Sequence, residues 1–175
     1  MNNQQQRMPA ILVMGVTACG KSTIAAAIAR RAGGTHIEGD QYHSAASIEK
    51  MRAGIALDDA DRHAWLQRLG VLIGEAVAAG QRPVLSCSAL KREYRERLRS
   101  AVPKLEVVFL EIDKHEVRRR VARRRGHFMS GTLVDSQFET LQSPVGESGA
   151  LAVDATLPVA EISRSATDWW QAHGE

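Results

Sequence analysis

Gly15-Val16-Thr17-Ala18-Cys19-Gly20-Lys21-Ser22 directly follows an apolar run, Ala10-Ile11-Leu12-Val13-Met14, and sets two glycines, a lysine and a hydroxyl in the spacing G-x-x-x-x-G-K-[ST]. Glycine reaches backbone angles closed to other residues, so successive N–H groups in such a loop can turn inward onto an anion. Lys21 then reaches the β- and γ-phosphates of a nucleotide, and Ser22 offers its hydroxyl to Mg²⁺. The stretch Ile24–Ala32, rich in helix formers, predicts a helix beginning near Lys21 whose positive dipole end faces the same phosphates. The expected nucleotide contacts are Gly15, Val16, Thr17, Ala18, Cys19, Gly20, Lys21, Ser22 and Thr23.

A phosphate loop needs a carboxylate to position Mg²⁺ or an acceptor, and two segments could supply it. Asp113 ends the apolar run Leu105–Ile112, but Glu116 three residues later makes it a good helix cap. Glu38-Gly39-Asp40 closes a short strand, where ligands gather in open parallel sheets. Polar groups follow it in Tyr42-His43 and Asp58-Asp59-Ala60-Asp61-Arg62; Asp58 or Asp59 must also cap a helix.

These groups need a scaffold, and 175 residues suffice for one domain with a sizeable core. Strands are expected at Ala10–Met14, Thr35–Glu38, Pro83–Cys87, Leu105–Ile112 and Leu151–Asp154, alternating with helices. That alternation predicts a three-layer α/β domain around a five-stranded parallel sheet. From about Asp59 to Ala79, Trp65, Leu69, Leu72, Ile73, Ala76 and Val77 share one helical face. A charged helix after the third strand should bury Tyr94 and Leu98.

Composition excludes several classes. With 44% hydrophobic and 25% charged residues, the chain has no apolar run near the ~20 residues of a membrane span. Residues 1–8 read as a disordered tail without the apolar core of a secretion signal, which predicts a cytoplasmic protein. Cys19 and Cys87 have neither metal-ligand spacing nor the count of a disulfide framework. Guanine recognition of the N-K-x-D type is excluded, because the only asparagines are Asn2 and Asn3. The net charge of +3 is concentrated at Arg118, Arg119, Arg120, Arg123, Arg124 and Arg125. A solvated face is the reading for Arg118, Arg119 and Arg125; RNA binding is disfavoured because no aromatics interleave with the run.

From Ile11 to Pro158 the chain resembles the gluconate kinases, small P-loop kinases related to shikimate and adenylate kinases. The resemblance is carried by Gly15 to Ser22, Gly39-Asp40 with His43, Ile48-Glu49-Lys50-Met51 with Gly54, and Leu57-Asp58-Asp59 with Asp61-Arg62 and Trp65-Leu66. Further blocks are Cys87-Ser88-Ala89-Leu90-Lys91 with Tyr94-Arg95, then Arg120 and Arg124, and Gly126-His127-Phe128 before Gln137-Phe138-Glu139-Thr140-Leu141-Gln142. The family usually has proline after the histidine and asparagine three residues later; Ser44 and Ser47 stand there, and prolines expected near Ala56 and Ala64 are absent.

The resemblance implies a P-loop kinase fold with a mobile lid at about 118–136, and transfer of the ATP γ-phosphoryl group to the 6-hydroxyl of D-gluconate. Shikimate or a nucleoside monophosphate is the alternative acceptor, and a nucleotide-gated or RNA-binding module is a more distant one. By analogy Asp40 accepts the proton of the substrate hydroxyl, Glu38 orders the Mg²⁺ water shell, and Lys21, Arg120 and Arg124 neutralise phosphate charge. His43, Arg62, Lys91, Arg95, His127 and Gln137 are the implied substrate contacts, and Pro158 lies where adenine is expected. The family expectation is a homodimer, with no nucleic-acid or membrane partner.

Overall fold

Residues 10–124 and 131–173 are described in a computed structural model of the chain. The five apolar residues Ala10–Met14 form β1, buried on both sides at the centre of the sheet, as expected of a parallel strand covered by helices. The all-parallel sheet has the order β2-β3-β1-β4-β5, with β2 over Thr35–Glu38, β3 over Pro83–Ser86, β4 over Leu105–Glu111 and β5 over Ala150–Asp154. All five expected strands are present, with ends shifted by one residue at most.

Alternation along β1 divides the core into two. Ile11 and Val13 pack with α1 (Lys21–Ala32) and α7 (Val159–His173), where Trp170 is fully buried. Leu12 and Met14 pack on the other face with α3 (Asp59–Ala78) and α4 (Arg92–Ala101) through Trp65, Leu69, Ile73, Tyr94 and Leu98. This is the three-layer arrangement expected. Two further helices lie on the α1 side: α5 (Lys114–Arg123) contributes Val117 to the core, and α6 (Gly131–Thr140) contributes Val134.

Local chemistry sets the helix ends. Asp58, not Asp59, caps α3, with Asp61 completing a reciprocal capping box. Asp113 accepts from the Glu116 N–H at 2.8 Å and caps α5, so it serves the helix and not the phosphate site. The periodicity did not announce a 3₁₀ turn over Gly39–Tyr42 or the eight-residue α2 over Ala45–Arg52. Ser44 accepts from the Ser47 N–H at 3.1 Å and caps α2, so the serines replacing the family's proline and asparagine still start a helix.

Candidate active site

The phosphate loop, the Gly39-Asp40 turn and the segment Cys87–Lys91 all leave the carboxyl ends of neighbouring strands, where open parallel sheets form their ligand crevice. Gly15 is required where it stands: its φ is 153°, and a Cβ would lie 2.7 Å from Cys19 Sγ and 3.0 Å from the Leu110 carbonyl oxygen. Gly20 caps α1 with φ 99° and no side chain, leaving the first-turn N–H groups open to an anion. Lys21 Nζ donates to the Val16 carbonyl at 2.9 Å, which folds its ammonium over the loop.

Asp40 follows β2 on a turn fixed by its neighbours. A Cβ on Gly39 would overlap the Ser86 carbonyl oxygen, so only glycine lets the chain turn here against β3. Trp65 Nε1 donates to the Gly39 carbonyl at 2.8 Å, and the indole stacks on His43 at 4.1 Å between ring centroids. His43 is buried with Nε2 3.6 Å from Asp40 Oδ1, while the Asp40 side chain is 72% exposed and reachable by a substrate. Trp65 therefore fixes both the turn and the histidine beside the acid, a role its helical spacing had disguised as core packing.

Glu38 pairs with Ser86 in the sheet and accepts from its hydroxyl at 3.0 Å. His36 Nε2 lies 2.9 Å from the same hydroxyl. Burial lowers the His36 pKa, and the nearby Glu38 charge opposes that shift only in part.

A cluster of cations lies where α3 meets the segment before α4. Lys91 Nζ donates to Asp59 Oδ1 at 2.8 Å, the Tyr94 hydroxyl donates to the same oxygen, and Arg62 lies over the Tyr94 ring at 5.6 Å. The hydrogen bonds from Lys91 and then Tyr94 hold the Asp59 carboxyl below its ordinary pKa. Asp59 and Tyr94 thus organise Lys91 and Arg62; the sequence pointed to a helix cap for the one and core packing for the other, not to this cluster.

The Cys87 thiol, just after β3, is buried. Burial pushes its pKa up to about 12, and it also feels the charges of Asp40, Lys21 and Arg62.

Other expectations are corrected. Arg95 is fully buried: Nε and Nη2 donate to Glu147, Nη1 to the Ala89 and Leu90 carbonyls, and Nη2 also to the Gln142 carbonyl. With its donors consumed it is a brace for the segment carrying Lys91, not a substrate ligand. Its partner Glu147 lies 52 residues away, and no spacing signalled it. Arg120, expected over the phosphates, donates instead to Glu116 at 3.0 Å, to the Ala18 carbonyl at 3.2 Å and to the Ala155 carbonyl at 3.0 Å. It grips the rim of the loop and the turn before Pro158, whose carbonyl starts α7. Gln137, expected on the substrate, accepts from the Thr17 N–H at 2.6 Å.

Arg124 is exposed at the end of α5, and Arg118 and Arg119 are half-solvated in pairs with Asp135 and Glu116, as a charged face predicts. His127, Arg125 and the tail 1–8 lie outside the described residues, as does part of the expected lid.

A five-stranded parallel sheet, a G-x-x-x-x-G-K-S loop on its central strand and an acid on the turn after β2 define a small P-loop kinase. A family model described as "AAA domain" matches residues 11–145. A gluconokinase of Gluconobacter oxydans (strain 621H) is 45% identical over 134 residues, 77% of this chain and 75% of that protein. The thermoresistant gluconokinase of Escherichia coli (strain K12) is 37% identical over 159 residues, covering 88% and 89%. A crystal structure of a gluconokinase from Sinorhizobium meliloti 1021 superposes with a TM-score of 0.84 at 44% identity, covering 95% of this chain and 94% of that one. The chain belongs to the gluconokinase family.

Proposed function

We propose that this protein transfers the γ-phosphoryl group of ATP to the 6-hydroxyl of D-gluconate, giving 6-phospho-D-gluconate and ADP. Its relatives' names support the reaction, and one observation carries it to these residues. Asp40, on a turn locked by Gly39 and Trp65, stands at the same carboxyl edge of the parallel sheet as the phosphate loop and its Lys21.

Phosphoryl transfer asks little covalent work of a protein, so positioning and charge neutralisation carry the catalysis. The open amides at the start of α1 and the Lys21 ammonium bind the triphosphate. Asp40 orients the acceptor hydroxyl and takes its proton as the oxygen attacks. His43, stacked on Trp65, holds the Asp40 carboxylate toward the acceptor. Lys91 and Arg62 form the cationic wall for the sugar-acid carboxylate, and the hydroxyls of a polyhydroxy acid need such a polar lining for selection. Arg124 is assigned to the phosphates by family analogy.

The residues fit Mg²⁺. Ser22 in the first turn of α1 and Glu38, on the α1 side of the sheet, are hard oxygen donors, and no cluster of three acidic, histidine or cysteine groups exists among the described residues to compete. Held by Ser22 and Glu38, the cation would supply neutralisation of the charge that develops on the phosphates.

The reading extends to a single kinase domain over the chain, acting as a cytoplasmic homodimer. Two buried free cysteines support a reducing compartment. Among the described residues no helix is long and apolar enough to cross a membrane.

The test is ADP release with gluconate, shikimate, nucleoside monophosphates or no acceptor, repeated with Asp40→Asn. Gluconate is expected to be the productive acceptor. Asp40→Asn should cut kcat by roughly 10²–10⁴-fold while retaining ATP binding. Turnover on shikimate or a nucleotide in place of gluconate overturns the substrate, and near-normal turnover removes Asp40 from the chemistry.

A further inference from the structure

The crest of the phosphate loop is held from outside at two adjacent points. Between them sits Ala18, whose φ of 59° puts a residue with a Cβ in the left-handed region. That conformation costs on the order of 1–2 kcal/mol and persists only where neighbours enforce it. On one side of Ala18 the Thr17 N–H donates to Gln137 Oε1 at 2.6 Å; on the other its own carbonyl accepts from Arg120 Nη1 at 3.2 Å. Gln137 and Arg120 come from α6 and α5, more than 100 residues along the chain.

The two helices make a stiff bracket. Asp135 on α6 pairs with Lys114 at 3.2 Å and Arg118 at 2.6 Å on α5, and Lys114 also lies over the Phe138 ring. Leu133 and Val134 bury the inner face of α6, and Val117 anchors α5 in the same core as the loop residues Val16, Ala18 and Cys19. The carboxamide of Gln137 thus projects from a fixed platform. Among the described residues its Nε2 makes no hydrogen bond, so the Thr17 bond is its one polar attachment there.

We propose that Gln137 is a positioning residue for phosphoryl transfer: together with Arg120 it holds the strained crest at Thr17-Ala18 in its anion-binding shape before the nucleotide arrives. The inference rests on the kinase reading above but assigns Gln137 to the nucleotide side of the reaction and not to the sugar acid. Without the tie, binding ATP must also reorder the crest, which weakens nucleotide affinity and lowers kcat/KM for ATP. The loss expected for one neutral hydrogen bond is about fivefold.

The test is Gln137→Met, which keeps length and volume but accepts only weakly through its sulfur, measured with a non-hydrolysable ATP analogue in the absence of gluconate and then in steady state. The analogue Kd and the ATP KM are expected to rise about fivefold, with the gluconate KM changed by less than about twofold. Gln137→Asn, one methylene too short to reach Thr17, should behave alike. Thr140→Val, which removes a hydrogen bond from α6 to its own Ser136 carbonyl, should leave nucleotide affinity unchanged. A raised gluconate KM with normal analogue binding overturns the proposal, as does wild-type behaviour of both Gln137 variants. If the wild-type enzyme fails to use gluconate while Gln137→Met still weakens analogue binding, the acceptor reading fails and the bracket stands.

Discussion

Replacing Arg95 by methionine keeps most of the aliphatic stem and removes the guanidinium. In the folded protein this strands Glu147, which is mostly buried, with Arg99 as its remaining cation at 3.0 Å, and leaves the carbonyls of Ala89, Leu90 and Gln142 without that donor. Burial alone would push the Glu147 carboxyl up; the hydrogen bonds from Arg95 and Arg99 together outweigh it and hold its pKa below the ordinary value. Removing one partner of a buried pair costs about 3–5 kcal/mol; Arg99 still offsets part of the Glu147 charge here, but three backbone carbonyls lose a donor as well. A domain of this size has roughly 5–15 kcal/mol in total, so the loss is a large share of its stability. At about 2–4 °C per kcal/mol, Tm should fall by roughly 6–20 °C. In urea the midpoint should drop with the slope m unchanged. Ala89, at φ 42°, would lose one of its fixed contacts two residues before Lys91, so a modest rise in the gluconate KM should accompany the instability. A variant within about 0.5 kcal/mol of wild type refutes the reasoning. A large KM effect at unchanged stability would return Arg95 to the substrate wall.

Other outcomes follow from the same geometry. Gly39→Ala should lower stability by about 1–3 kcal/mol through the forced shift against the Ser86 carbonyl, and lower kcat by displacing Asp40; thermal melting and steady-state assays check both, and unchanged kcat would detach the turn from catalysis. Cys19 and Cys87 are buried, and the Cys87 thiol is pushed up to about 12, so an aromatic disulfide reagent at neutral pH should label neither until denaturant is added; rapid labelling of the native protein contradicts the burial. Because Glu147 has a lowered folded pKa, its contribution is fully present above the ordinary value of 4.5 and is lost as pH falls below it. The urea midpoint should therefore decline below about pH 4.5, and Glu147→Gln should flatten that decline; an equally steep decline in the variant would assign it to other carboxylates.

What was legible in the chain is what local interactions decide. The phosphate loop, the ends of β2 and the start of α3 depend on glycine angles, apolar runs and caps a few residues long, and each stood where its residues placed it. Asp40 was readable only in part: a Gly-Asp pair closing a strand is also an ordinary turn, and the polar residues after it and the family resemblance, not the pair itself, singled out this acid. Arg95 was not. It lies among Arg92, Arg97 and Arg99 on a strongly charged helix, and nothing in its neighbours distinguishes the buried guanidinium from a solvated one. Only the approach of Glu147, brought in by the chain after α6, supplies the counter-charge that makes burial tolerable. The same holds for Gln137 and Arg120. Their residue types announced hydrogen bonding, but whether they meet a substrate or the crest of the phosphate loop depends on how α5 and α6 dock, and that docking is settled by core packing and ion pairs between residues far apart in sequence.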